Sequence, residues 1–133
     1  MSNESNADHQ WGFRTRALHA GARADPATGA RAVPIFQTSS YVFEDADDAA
    51  DLFALQKFGM VYSRLGNPTV SAFEERMASL EGGIGAVAAS SGHAAEFLSV
   101  TAVASVGDHI VSSSHLYGGT ITQFSQTFKR FGW

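Results

Sequence analysis

The most regular hydrophobic pattern in the chain lies in "NPTVSAFEERMASLEGG", residues 67–83. Four apolar residues recur there at spacings of three and four: Val70, Phe73, Met77 and Leu80. This spacing is that of one helix face. Asn67 can cap the helix, Pro68 fits its first turn, and Gly82-Gly83 can end it. The stretch therefore predicts an amphipathic helix with defined ends.

Three other stretches favour helices. In "EDADDAADLFALQ", acids crowd the first turn and apolar residues follow: Ala49, Leu52, Phe53 and Leu55. "HAAEFLSVTAVASV" is helical in pattern, starts at about His93, and is followed by a turn at Gly107-Asp108. "ITQFSQTFKRF" predicts a last helix, whose apolar face is Ile121, Phe124 and Phe128.

Two short apolar runs separate these helices. "IGAVAA", residues 84–89, and "HIVSS", residues 109–113, are each typical of a buried strand. Helix, strand, helix, strand, helix with short connections is the order of a parallel sheet flanked by helices. The predicted fold class is therefore α/β.

The first sixty residues follow no such order. Residues 1–13 have the composition of a mobile polar tail. Residues 15–40 are rich in Gly, Ala and turn formers and show neither helical nor strand periodicity, although "QTSSYVF", residues 37–43, is β-prone. A structureless stretch of this length is unusual in a compact domain. We therefore expect an arm that packs elsewhere, such as on another subunit.

Composition narrows the class of protein. The 133 residues carry a formal net charge of -4 and are 44% hydrophobic, which suits one modest domain with a core. The acidic balance argues against nucleic-acid binding. Without cysteine there is no disulfide or thiolate site, and His19, His109 and His115 lack the spacing of metal ligands. No signal peptide and no apolar run of membrane length is present, so we expect no membrane partner and a cytoplasmic location.

The chemistry starts where the first predicted strand ends. Ser90, Ser91 and Gly92 form the junction with the helix that begins near His93. Ligands bind at the carboxyl ends of parallel strands, and the free N–H groups of a helix's first turn attract anions. Gly92 would let a phosphate approach the backbone, and the hydroxyls add donors. Taken alone, the junction fits equally a capped turn without a ligand.

Two further stretches carry candidate groups. In "YSRLGNPT", residues 62–69, Arg64 suits a bidentate phosphate contact and Tyr62 offers a hydroxyl. In an extended chain both side chains would project to one side. In "LYGGT", residues 116–120, Tyr117 follows the second strand and can lie flat on a planar ligand. Each stretch, taken alone, also fits surface or loop packing.

"YSRLGNPT", "SSGHAA" and "LYGGT", in this order and spacing, resemble the pyridoxal-phosphate (PLP) enzymes of cysteine and methionine metabolism, which have the fold-type I architecture. The segment "TRALHAG...AVPIFQTSSYVF" also resembles the family's N-terminal arm, so the likeness runs from Thr15 to Trp133. "GDHIVSSSHLYGGT" with "FKRFG" is most similar to the O-acetylhomoserine sulfhydrylase branch. The resemblance implies an N-terminal arm at 1–60 and the beginning of a PLP-binding domain at 61–133.

The resemblance also implies roles for individual residues. Ser91, Gly92 and His93 would hold the PLP phosphate, the last two through backbone N–H groups, although His93 stands where the family often has Met or Gln. Tyr117 would stack on the pyridine ring and assist catalysis. Tyr62 and Arg64 would reach the phosphate in a neighbouring subunit of a homotetramer, built as a dimer of dimers with shared active sites.

The lysines do not match the family's pattern. PLP enzymes need an amine to hold the cofactor, but the only lysines, Lys57 and Lys129, lie outside the family's lysine context. The chain therefore resembles only the N-terminal part of a longer enzyme that replaces the acyl group of an O-acylated homoserine by sulfide or a thiol. The alternatives are a cystathionine γ-synthase or a lyase of the same family, a non-catalytic phosphate-binding module, or an inactive truncated fragment.

Overall fold

The computed structural model describes residues 11–133, so most of the tail expected at residues 1–13 lies outside the described residues. Five α-helices are formed within the described range: α1 Phe13–His19, α2 Ala46–Phe53, α3 Pro68–Glu81, α4 Gly92–Val103 and α5 Gly118–Thr122. A π-helical segment, Gln123–Thr127, and a 3₁₀ turn, Phe128–Phe131, continue α5. The chain divides into two compact units, the first ending at Val87 and the second beginning at Ala88.

In the first unit, the caps confirm the predicted α2 and α3. Asp45 accepts a hydrogen bond from the Asp48 N–H at 2.8 Å and so begins α2. Asn67 accepts from the Thr69 N–H at 2.9 Å, and Pro68 occupies the first position of α3. Gly82 ends α3 with φ +71°, a left-handed conformation that glycine adopts without steric cost.

The prediction of an irregular chain from residue 15 is wrong, because α1 covers residues 13–19. This helix buries none of its own residues and has no apolar stripe for sequence analysis to detect. Contacts with α3 hold it instead: Arg16 donates to the Ser79 carbonyl, and Arg76 donates to the Ala20 carbonyl at 2.9 Å. A Cβ at Gly21 would lie 2.4 Å from the Ala72 carbonyl oxygen, so glycine permits the close approach.

Residues 20–39 form no helix or strand, but the backbone there is bonded to its own chain. Thr69 at the start of α3 donates to the Pro34 carbonyl and accepts from the Phe36 N–H, both at 2.9 Å. The isolated bridge between Ser40 and Tyr62 fixes the end of the segment. Hydrogen bonds within the same chain thus hold part of this segment, which we expected to be held by another subunit.

In the second unit, α4 and the helical run after α5 meet through aromatic rings. Phe128 is 1% exposed and lies 5.1 Å, between ring centroids, from both Phe124 and Trp133. Phe97 of α4 lies 5.3 Å from Phe131. The predicted last helix is therefore present, but as an α, π and 3₁₀ succession, and Ile121 of its predicted apolar face stays 46% exposed.

The two predicted strands do not appear as strands among residues 11–133; the one isolated bridge is Ser40–Tyr62. Val87 is 83% exposed and Val111 is 97% exposed, so the apolar runs are not buried. A strand exists only when a neighbour pairs with its N–H and C=O groups. The described part of the chain supplies no such neighbour for either run, and the predicted sheet remains unconfirmed.

Candidate cofactor-binding site

The junction that drew attention in the sequence is the capped start of α4. Ser91 is the N-cap residue, and its hydroxyl accepts a hydrogen bond from the Ala94 N–H at 3.2 Å. The N–H groups of Gly92 and His93 belong to the first turn, where no intrahelical carbonyl is available to them. A Cβ at Gly92 would meet no heavy atom within 4 Å, so the approach is open.

This turn suits a phosphate group. Its donors are backbone N–H groups at the positive end of the helix dipole, which is the chemistry that binds phosphate at helix N-termini. The serine cap is used by the helix itself, so Ser91 orders the turn and its hydroxyl oxygen is already engaged.

Tyr117 lies beside this turn. It is the N-cap residue of α5 and is 78% exposed, and its ring centroid is 6.2 Å from that of His93 at an interplanar angle of 39°. A Cβ at Gly119 would lie 2.6 Å from both His93 Nε2 and Tyr117 Cε1. Glycine at this position therefore lets the two rings share the space, and the exposed tyrosine face is available to a planar ligand.

Three polar residues behind the turn were missed by the sequence analysis. Thr120 donates its hydroxyl hydrogen to Glu96 Oε1 at 2.6 Å, and Gln123 Nε2 donates to the His93 carbonyl at 3.0 Å. A signal existed in the sequence: Glu96 is the only charged residue of α4, and Thr120 and Gln123 are three positions apart in a helical run. No sequence pattern pairs them across 24 and 30 residues.

Tyr62 and Arg64 lie together in the first unit. The chain is not extended here, because residues 63–65 form a turn in which the Tyr62 carbonyl accepts from the N–H groups of Leu65 and Gly66. The two side chains still meet: the Arg64 Cζ atom lies 5.8 Å from the Tyr62 ring centroid, a cation–π distance.

The structure thus places the six predicted site residues in two groups. Ser91, Gly92, His93 and Tyr117 lie together in the second unit; Tyr62 and Arg64 lie together in the first unit. Within the described residues no cluster of three His, Asp or Glu side chains could hold a metal ion. In the same part of the chain, no helix combines the length and apolarity needed to cross a membrane.

Lys57 is engaged by a carboxylate. Its Nζ lies 2.5 Å from Asp48 Oδ1. The hydrogen bond from Lys57 lowers the pKa of Asp48, and the same bond raises the pKa of Lys57, so both groups stay charged near neutral pH. Lys129 lies in the 3₁₀ turn at the end of the chain, beside Arg130.

Sequence comparison identifies the class of protein. The profile of the Cys/Met metabolism PLP-dependent enzyme family matches residues 14–133, and the chain belongs to this family. It is 55% identical over 120 residues to O-acetyl-L-homoserine sulfhydrylase 1 of Thermus thermophilus. That alignment covers 90% of this chain and 28% of the relative. It is 56% identical over 128 residues to O-acetyl-L-homoserine sulfhydrylase of Corynebacterium glutamicum, covering 96% and 29%.

Solved structures agree with the sequence comparison. An O-acetylhomoserine (thiol)-lyase of Campylobacter jejuni matches with a TM-score of 0.85 and 42% identity, over 92% of this chain and 30% of that chain. That crystal structure contains a pyridoxyl-lysine phosphate group. The likeness relates the described helices to a fold-type I PLP enzyme, while the chain spans less than a third of the length of these relatives.

Proposed function

We propose that this chain is the N-terminal part of a PLP-dependent O-acetylhomoserine sulfhydrylase, which replaces the acyl group of an O-acylated homoserine by sulfide or a thiol in methionine and cysteine biosynthesis. One observation carries the proposal. The open first turn of α4 and the exposed ring of Tyr117 lie side by side, in a chain more than half identical to sulfhydrylases of this family.

The residues present fit the cofactor. The N–H groups of Gly92 and His93 would donate to its phosphate, and Ser91 would keep the turn in place through its cap. The Tyr117 ring would lie against the pyridine ring, and its hydroxyl would assist departure of the leaving group. When bound, PLP supplies an electron sink for carbanions at the substrate carbons.

Tyr62 and Arg64 would serve the phosphate bound by a neighbouring subunit. Arg64 is exposed, and its guanidinium is presented over the Tyr62 ring at the end of a hydrogen-bonded turn. Such a cation would neutralise the part of the phosphate charge that the backbone N–H dipoles do not compensate. We therefore propose a homotetramer, a dimer of dimers with shared active sites, which works in the cytoplasm.

The arm would contribute to the same assembly. Apolar side chains of the segment are exposed on the surface of the first unit: Ile35 is 77% exposed and Val42 is 99% exposed. A cavity of about 680 Å³ is lined both by arm residues 31–33 and by α3 residues Ala72, Phe73 and Arg76. Incomplete packing of this kind supports division into an intersubunit arm, residues 1–60, and the beginning of the PLP-binding domain, residues 61–133.

We propose that the 133-residue chain is inactive without the rest of the enzyme. The covalent bond to the cofactor and the movement of protons require an amine. Lys57 is paired with Asp48, and Lys129 lies in the 3₁₀ turn beside Arg130. The lysine and the arginine for the substrate carboxylate would come from chain beyond this segment.

The direct test is an assay of the complete enzyme that contains this segment. With O-acetyl-L-homoserine and sulfide, the proposal expects homocysteine to form in a PLP-dependent reaction. Formation of cystathionine from cysteine instead would favour a cystathionine γ-synthase, and release of a 2-oxo acid and ammonia from methionine or cystathionine would favour a lyase. PLP binding without turnover of any of these substrates would favour a non-catalytic phosphate-binding module.

A further inference from the structure

Two hydrogen bonds tie α4 to the helical run that carries Tyr117. The Thr120 hydroxyl donates to Glu96 Oε1 at 2.6 Å. One turn further along, the Gln123 amide donates to the His93 carbonyl at 3.0 Å. Each bond joins a side chain of the helical run after Tyr117 to a group of α4, so together they fix the run relative to α4.

These groups are buried and incompletely satisfied. Thr120 is 6% exposed and Gln123 is 9% exposed. The second oxygen of Glu96, Oε2, and the amide oxygen of Gln123 are buried and accept no hydrogen bond from the part of the chain that the structure describes. Burying acceptors without donors costs stability, so apolar side chains would stabilise this contact better. A polar contact kept at such a cost is better suited to fixing orientation.

The position of the bonds shows what they would orient. Glu96 lies one turn after His93 in α4, and Thr120 lies one turn after Tyr117 in α5. The His93 carbonyl belongs to the first turn itself. Gln123 is the first residue of the π-helical segment, and π segments within helices are frequent at functional sites.

We propose that Glu96 and Gln123 are positioning residues that set the Tyr117 ring relative to the N–H groups of Gly92 and His93. Glu96 acts through Thr120, and Gln123 acts through the His93 carbonyl. This inference rests on the proposed function, because the two groups being aligned are those that would hold the cofactor ring and its phosphate. Neither positioning residue is expected to touch the cofactor.

The chain offers a matched pair of substitutions for the test. Thr120→Val removes the hydroxyl that reaches Glu96. Thr122→Val, in the same helix, removes an exposed hydroxyl that bonds only to the Gly118 carbonyl of its own helix at 3.2 Å. Thr120→Ser keeps the hydroxyl and is expected to behave as the wild type. Glu96→Gln keeps the shape and an acceptor oxygen, and decides the test if Thr120→Val does not fold.

The variants are made in the complete enzyme and compared for PLP affinity, for the visible circular dichroism of bound PLP, and for the midpoint of thermal unfolding. We expect Thr120→Val to weaken PLP binding about fivefold, the value of one ordinary hydrogen bond, and to reduce the dichroism. The midpoint should fall as well, because Glu96 Oε1 loses its donor. Glu96→Gln should give a smaller change in the same direction. Thr122→Val should change nothing.

Hydrogen exchange without cofactor separates the possible failures. The amides of Ala95 and Ile121, which donate to the carbonyls of Ser91 and Tyr117, should exchange faster together in Thr120→Val. If the midpoint falls while affinity, dichroism and exchange in these two segments stay those of the wild type, the bond is merely structural and the positioning role is wrong. If the wild-type enzyme binds no PLP, the proposed function fails first, and the positioning role fails with it.

Discussion

The ammonium group of Lys57 and the carboxylate of Asp48 form an ion pair with a nitrogen–oxygen distance of 2.5 Å. Asp48 lies in the first turn of α2 and Lys57 follows the end of that helix, so the pair closes the segment on itself. A lysine amine is already protonated near neutral pH, and the bond to Asp48 raises the pKa of Lys57 further, so the group is a poor nucleophile.

The first prediction concerns covalent attachment of the cofactor. The 133-residue chain, mixed with PLP, reduced with borohydride and mapped by mass spectrometry, should show no specific, stoichiometric label. Asp48→Asn frees the Lys57 amine and should increase only non-specific labelling. Stoichiometric labelling of Lys57 or Lys129 in the wild-type chain would show that the segment already contains the cofactor lysine.

The second prediction concerns Arg64. In the complete enzyme, Arg64→Ala should weaken PLP retention about 10- to 150-fold, because a charge-assisted bond to phosphate contributes roughly 1.5–3 kcal/mol. Arg64→Lys keeps the charge but loses the bidentate geometry. Its PLP retention should therefore lie between that of the wild type and that of Arg64→Ala.

A mixing experiment tests whether Arg64 serves the neighbouring subunit. Arg64→Ala subunits and subunits without the cofactor lysine should each be inactive, whereas mixed oligomers should regain activity at sites that combine one intact lysine with one intact Arg64. If subunit exchange is verified and activity stays at the level of the parents, Arg64 acts within its own chain.

The third prediction concerns the arm. Amides with partners in their own chain, such as those of Phe36 and Tyr41, should be protected from hydrogen exchange in both the oligomer and a dissociated form. The amides of Ile35 and Val42, whose side chains are exposed, should gain protection only in the oligomer. Equal protection of all four amides in both states would contradict an intersubunit arm.

The fourth prediction concerns Gly119. Gly119→Ala should push the His93 and Tyr117 rings into less favourable rotamers, at a cost of about 0.5–1.5 kcal/mol in unfolding free energy. Loss of a well-placed stacking ring should weaken PLP binding roughly 2- to 12-fold. Gly118→Ala is the control, because a Cβ there would meet nothing within 4 Å. Equal PLP affinities for the two variants would show that this ring contact does not matter for the cofactor.

The sequence predicted best what is determined locally. Asp45 and Asn67 cap helices through neighbours two or three residues away, so α2 and α3 are readable from their caps. By contrast, α1 depends on Arg16 reaching a carbonyl 63 residues later. The predicted strand at 109–113 failed to form for the same kind of reason, since pairing requires a neighbour that the described residues do not supply.

The candidate site divides in the same way. Gly92, His93 and Tyr117 were found from motifs that stand at the predicted ends of strands. The bonds of Thr120 to Glu96 and of Gln123 to His93 were not predicted, because they join positions that only the packing of α4 on the following helices brings together.

A crystal structure of the complete enzyme with PLP would decide whether the first turn of α4 and the Tyr117 ring hold the cofactor. We expect the N–H groups of Gly92 and His93 to lie within about 3 Å of phosphate oxygens, the distance of an N–H···O hydrogen bond. The ring of Tyr117 should then lie against the pyridine ring of the same cofactor. A phosphate bound away from the first turn of α4, or a Tyr117 ring without contact to the cofactor, would contradict the assignment of these residues to the cofactor site.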